Sequence, residues 1–239
     1  MNGRWRWIIA ATLFALVLMI ATFPMRLALS LAGADEAGIA AREIRGSVWS
    51  GTLIDARLGA LPLGTVEASL SPLALLGGDT ELRFARTDER LGALSGRLHG
   101  SDPRGLSDVD GVTSLSGGGL GIVPIDTIRF EGVSLRFDSA GKCARAAGRL
   151  QLMVNAPIAG LDLSRGLSGP LTCAQGRAQA ALASQSGMER LTLSFDAHGA
   201  WRGQFAINVD RDPAMAAALT VLGFKPGSNG YVLTTTGRF

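Results

Sequence analysis

The sequence predicts a mainly β protein: an N-terminal transmembrane helix, then a curved antiparallel β-sheet, open-grooved or sandwich-like, with one or two short helices. Three observations carry this expectation. Most segments after residue 50 alternate apolar and polar residues, as half-solvated antiparallel strands do. The composition includes 32 glycines and only 6% aromatics, which suits short strands and turns better than a helix bundle. One long uncharged stretch stands at the N-terminus. The 239 residues bound the chain to one domain plus an attachment segment. Hydrophobic residues make up 47% and charged residues 18%, which excludes disorder as a description of the whole.

The uncharged stretch comes first. Trp7–Met25 holds 19 residues without a charge. At about 1.5 Å per residue it covers about 28 Å, close to the roughly 30 Å hydrocarbon core of a bilayer. Arg4 and Arg6 precede it and Trp5 and Trp7 mark an interface, so the N-terminus is expected to stay cytoplasmic and the rest to be exported. Ala32-Gly33-Ala34 has the form of a signal-peptidase site, but the apolar core is long and Arg26 interrupts it, so an uncleaved anchor is favoured. The expected organisation is a cytoplasmic tail over 1–6, an anchor over 7–26, a juxtamembrane linker over 27–40 and a periplasmic β domain over 41–239. The formal charge of +3 comes entirely from the three arginines before residue 35; the other 205 residues carry 20 bases and 20 acids. That balance leaves no electrostatic footprint for nucleic acid.

The exported part follows. Ser71 as N-cap and Pro72 at the first helical position predict a short helix through Leu76, stopped by Gly77-Gly78. Leu82 and Phe84 alternate with charged neighbours. Residues 100–119 read as the most loop-like stretch. Ile128 and Phe130 alternate, and after Gly132 the phase flips to Val133, Leu135 and Phe137, which predicts a β-bulge. Leu150, Leu152 and Val154 form another strand. Leu191, Leu193 and Phe195, a turn at His198-Gly199, and Phe205, Ile207 and Val209 predict a hairpin over 190–210. A second short helix is expected from Asp212-Pro213 to before Gly223, and a last strand carries Tyr231, Leu233 and Thr235. Cys143 and Cys173 are the only cysteines, and in an oxidising compartment such a pair reads as a disulfide.

Residue types offer no catalytic, cofactor or metal site. His99 and His198 sit beside glycines in expected turns. Ser194, Asp196 and His198 share the solvent face of a strand, whereas a catalytic triad needs its base oriented from behind. Gly117-Gly118-Gly119-Leu120-Gly121 lacks the Lys-Ser/Thr of a phosphate loop. Arg83, Arg86 and Arg90 interleave with Asp79, Glu81, Asp88 and Glu89, which reads as a solvated charged face. No cluster of His and Cys suggests zinc. The expectation is a non-enzymatic domain acting by contact with a protein, a peptide at a sheet edge or a lipid.

Four ordered segments resemble one family. These are Gly46-Ser47-Val48-Trp49-Ser50-Gly51-Thr52-Leu53, Leu70 to Gly78, the pair Cys143 and Cys173, and Leu219 to Gly223 with Asn229 to Gly237. They look like the motifs of type II secretion system protein N (general secretion pathway protein N). The family often has a tryptophan before the second segment, where this chain has Glu67-Ala68-Ser69. The resemblance implies an accessory inner-membrane subunit of the machinery that moves folded proteins out of the periplasm. Its partners would be other inner-membrane secretion components, and no catalytic residue is carried over. The β domain is also similar to AsmA-like proteins, which makes lipid binding or transfer on an apolar concave face the alternative. The matched positions Gly46, Trp49, Gly51, Gly223, Gly230 and Tyr231 are expected to be structural. Gly46 and Gly51 would allow close approach beside Trp49, which would anchor the first strand in the core or rest at the membrane interface.

Overall fold

Alternating side chains along successive segments build one antiparallel sheet. The computed structural model describes residues 3–31, 39–58, 61–88, 91–114, 125–154, 163, 165–208 and 213–238. In chain order the elements are α1 (Gly3–Ala21), α2 (Met25–Leu31), β1 (Ile39–Ala40), β2 (Glu43–Ser47), β3 (Ser50–Leu58), β4 (Leu61–Leu70), α3 (Pro72–Leu76), β5 (Glu81–Asp88), β6 (Gly92–His99) and β7 (Arg104–Ser114). There follow β8 (Ile125–Phe137), β9 (Cys143–Val154), β10 (Leu167–Ala174), β11 (Arg177–Ala183), β12 (Glu189–Phe195), β13 (Ala200–Ile207), α4 (Pro213–Val221), β14 (Lys225–Gly227) and β15 (Gly230–Arg238).

From β3 to β13 each strand pairs with the next in sequence; β15 then joins β13, with β14 outside it. β1 and β2 both pair with β3 at the opposite edge. Antiparallel succession puts alternate connections at alternate ends of the sheet. The β2–β3 turn, α3 and the turns after β6, β8, β10 and β12 share one end, and α1 meets the sheet there. This is the helix end. α4 lies at the far end.

One face of the sheet is buried. Leu150, Leu152 and Val154 of β9, Ala180 and Leu182 of β11, and Phe205 and Ile207 of β13 join a single cluster running from β6 to β15. Each leucine so buried contributes about 1.5–3 kcal/mol. At the far end α4 adds Leu219, and Phe224 meets Phe205 edge-on at 5.9 Å. A second cluster of Met25, Val48, Leu53, Ala56, Val66 and Ala68 joins α2 to the first strands.

Several expectations hold. β8 changes phase at Gly132, where φ is 56° and the pairing with β9 shifts between Glu131 and Ser134. The Gly132 N–H donates to the Asp110 carboxylate at 2.7 Å instead of to a strand, as a bulge requires. Ser71 caps α3, its hydroxyl accepting from the Ala74 N–H at 3.3 Å. The hairpin and last strand form as β12–β13 and β15. Cys143 and Cys173 are disulfide-bonded, with Cα atoms 5.6 Å apart. The ladder between β9 and β10 stops at Arg149 and Pro170, and the disulfide spans the seam beyond it.

Four expectations change. The uncharged stretch is not one helix: α1 ends at Ala21, Pro24 forms a β-bridge with Ser47, and Met25 is 1% exposed in the second cluster. Among the described residues no helix is long and apolar enough to cross a membrane. The physical reason is that the uncharged part of α1, Trp7–Ala21, spans only about 22 Å. Within the expected linker 27–40 the chain forms most of α2 and then β1. Within the expected loop 100–119, Arg104–Ser114 is strand β7, whose Val109 and Thr113 point inward despite the glycines and aspartates between. Finally, Arg86 is 1% exposed rather than part of a solvated face. The expected signal-peptidase site at 32–34, the glycine run at 117–121, and Glu89, Arg90, Val209 and Asp212 lie outside the described residues.

Candidate functional site

The segment Gly46–Gly51 forms a tight turn between β2 and β3, with Gly46 opposite Gly51 and Ser47 opposite Ser50. Gly46 has φ of 85°, and a Cβ there would stand 2.4 Å from the Ser50 carbonyl oxygen, so only glycine fits without strain. At Gly51 a Cβ would meet Met25 Cγ at 2.9 Å; its bareness makes room for α2. Between the glycines the turn grips the helix break. The Val48 N–H donates to the Phe23 carbonyl at 2.9 Å. The Trp49 indole N–H donates at 2.9 Å to the Ile20 carbonyl at the end of α1, which also accepts from the Phe23 N–H at 3.3 Å. Trp49 is thus half-buried, a bridge from sheet to helix. Beside it an apolar cavity of about 350 Å³ opens among Met19, Ile20, Phe23, Val48, Trp49 and Leu70.

The C-terminal motif residues lie elsewhere. Gly223 closes α4, its N–H donating to the Thr220 carbonyl at 3.0 Å. Gly230 starts β15 with φ of 120°, and Tyr231 pairs with Ile207 while packing on the main cluster. The structure therefore brings Gly46, Trp49 and Gly51 together at the helix end, and Gly223, Gly230 and Tyr231 together at the far end.

Two polar constellations are not visible in the sequence motifs. Arg86, buried among β4 to β7, donates to the carbonyls of Gly92 at 2.9 Å, Leu63 at 3.1 Å, Leu91 at 2.9 Å and, more closely, Val112. Desolvation pushes its pKa down, opposed by the charge of Asp88. A signal existed: Arg86 stands two residues after Phe84, on the same strand face. The second constellation is Asp79, His99 and Ser107. His99 is buried, with Nδ1 3.0 Å from Asp79 Oδ2 and Nε2 2.9 Å from Ser107 Oγ. The His99 hydrogen bond is the main cause holding the Asp79 carboxyl below its ordinary range; burial opposes it. No spacing rule foretells this trio, because its members come from three elements.

The order Asp, His, Ser is that of a nucleophile relay. Catalysis would also need oxyanion donors and an access path to Ser107. Neither the cavity beside Trp49 nor the one bordered by Met188, Arg190 and Asn208 is lined by the trio. Instead, the trio continues a set of bonds that fastens the loop after α3: Ser101 Oγ donates to the Gly78 carbonyl at 3.2 Å, and Thr80 N–H donates to Ser101 Oγ at 3.0 Å. Ser194, Asp196 and His198 do not assemble as a triad. Asp196 accepts from the backbone N–H groups of His198 and Ala200, both at 3.0 Å, and closes its own turn. Burial pushes its pKa up, but these bonds and Arg177 outweigh it and leave the carboxyl low. Among the described residues no three His, Cys, Asp or Glu side chains gather as a metal would require.

The decisive comparison is with known families. The family model of type II secretion system (T2SS) protein N matches residues 37–234. The chain belongs to the type II secretion system protein N family. The match covers the whole described sheet up to β15, including both motif groups and the disulfide, and starts after α1 and α2. No curated protein and no solved structure matches the chain. Membership in the protein N family connects the chain with type II secretion.

Proposed function

We propose that this chain is a non-enzymatic accessory subunit of the type II secretion machinery, anchored in the bacterial inner membrane by α1. In this reading the N-terminus lies in the cytoplasm, the sheet lies in the periplasm, and the protein works by contact with other inner-membrane secretion components. The family match over 37–234 is the observation that carries it. Two features support the anchor. The large apolar side chains of α1 from Ile8 to Ile20 are exposed around the helix, which water does not favour. The preceding Arg4 and Arg6 suit a positive cytoplasmic flank. The uncharged length of α1 falls about 8 Å short of a hydrocarbon core of roughly 30 Å. The disulfide fits an oxidising compartment.

The lipid-transfer alternative has less support, because it asks for an open apolar concavity. The inner face from β6 to β15 is occupied by its own side chains. The test of the main reading is affinity capture of the tagged full chain from native membranes, together with secretion assays after deletion. Recovery of secretion components and a secretion defect are expected. Normal secretion with no such component recovered overturns the proposal.

A further inference from the structure

α3 is a helix of five residues, Pro-Leu-Ala-Leu-Leu, with no charge from Ser71 to Gly78. Its leucines face outward: Leu73 is 79% exposed, Leu75 40% and Leu76 86%. Three exposed leucines on one turn are costly in water, and the fold does not let them retreat. Ser71 caps the helix N-terminus, the Gly77 N–H bonds to the Leu73 carbonyl, and the loop beyond is fastened by Ser101 and by the Asp79–His99–Ser107 trio. The leucines are held out on a rigid mount.

The position of α3 identifies what they meet. α3 follows Leu70, whose N–H donates to the Val48 carbonyl at 2.9 Å. The next residue, Trp49, bonds to Ile20 in the last turn of α1. The apolar cavity lined by Met19, Ile20, Phe23, Val48, Trp49 and Leu70 fills the interval. Apolar side chains of α1, the joint and α3 thus lie at the same end of the sheet. α1 offers about 22 Å of uncharged length against a hydrocarbon core of roughly 30 Å, leaving about 8 Å unfilled. The joint and α3 lie at the end of α1 where that depth is missing.

We infer that α3 is a second membrane contact, whose three leucines enter the periplasmic leaflet of the bilayer beside α1. The inference rests on the anchor reading above. A short apolar turn without charge is suited to the boundary between headgroups and acyl chains. α4 provides an internal comparison. Its Val221 is 88% exposed and equally apolar, but it lies at the far end of the sheet.

The experiment uses the full chain, in which the disulfide occupies both native cysteines. Leu76→Cys, Phe14→Cys and Val221→Cys proteins, all substituted at exposed positions, are labelled with an environment-sensitive fluorophore. They are reconstituted in phosphatidylethanolamine–phosphatidylglycerol vesicles with and without brominated acyl chains. The labels at Phe14 and Leu76 are expected to be quenched at least about twofold more than the label at Val221. Quenching at Phe14 but not Leu76 overturns the role of α3 and leaves the anchor standing. No quenching at Phe14 overturns both. A Leu76 label shielded in native membranes but unquenched by brominated lipid assigns the leucines to a protein partner and also overturns the inference.

Discussion

Removing the Arg86 guanidinium would leave the carbonyls of Leu63, Leu91, Gly92 and Val112 without their shared donor. Those groups belong to β4, β6, β7 and the turn before β6, so one side chain ties three strands at the far end. Arg86→Met keeps the apolar stem and is expected to lower unfolding free energy by about 3 kcal/mol. Arg86→Lys, with a compact ammonium instead of a fork, is expected to recover only part of the loss. Urea unfolding checks both; a wild-type midpoint in Arg86→Met would refute the role. Asp79 offers a pH test. Its folded pKa lies below its unfolded value, chiefly because of His99. Its stabilising contribution is therefore complete above the unfolded value near pH ~4 and is lost as pH falls through the lower folded value. The stability gap between the parent and Asp79→Asn is expected to narrow as urea unfolding is repeated from neutral to acid pH. A constant gap would show that the carboxylate charge is not what matters. At this scale the sequence was only partly legible. Gly46, Trp49 and Gly51 announced a special turn, but not that it grips α1. Arg86 was hidden by neighbouring charges, and the Asp79–His99–Ser107 trio by long separations.

Strands and turns set the next scale. β9 and β10 are neighbours whose ladder runs only from Leu152–Leu167 to Arg149–Pro170. Pro170 has no N–H to continue it. Beyond that point the Cys143–Cys173 bond holds the helix end of the seam, with the Cys143 N–H donating to the Gly176 carbonyl at 2.8 Å. The loop closed is 30 residues long, so the bond is expected to contribute about 3–4 kcal/mol. Cys143→Ser should lose about that much in urea unfolding and abolish the gel-mobility difference between reduced and unreduced chain. Unchanged stability and mobility would argue against the bond. Elements with clean alternation were readable: β8 with its bulge, the β12–β13 hairpin, β15 and the capped α3. β7 was not, because Gly105, Asp108, Asp110 and Gly111 mask its inward Val109 and Thr113. Its register with β6 and β8 slips around Asp108 and Asp110, so residues typical of turns sit in bulges.

At the scale of the molecule, alternation announced an antiparallel sheet, whereas the uncharged N-terminal stretch concealed the break after Ala21 and the packing of Met25 on the first strands. That the sheet is single was beyond reach, because a sandwich and a long meander write the same alternation. The succession from β3 to β13 carries a further consequence, for the way the molecule is made. Each strand pairs with the segment delivered just before it, so loop-closure entropy stays small at every step. A chain arriving N-terminus first lays the sheet down in order, beginning at the joint held by Trp49 and acquiring its covalent stitch when β10 arrives. At the far edge β15 breaks the succession: it waits for α4 and β14 before it covers β13. Until then β13 is a bare edge, open to strands of other chains. The vulnerable interval of biogenesis falls between the completion of β13 and the arrival of Gly230–Arg238.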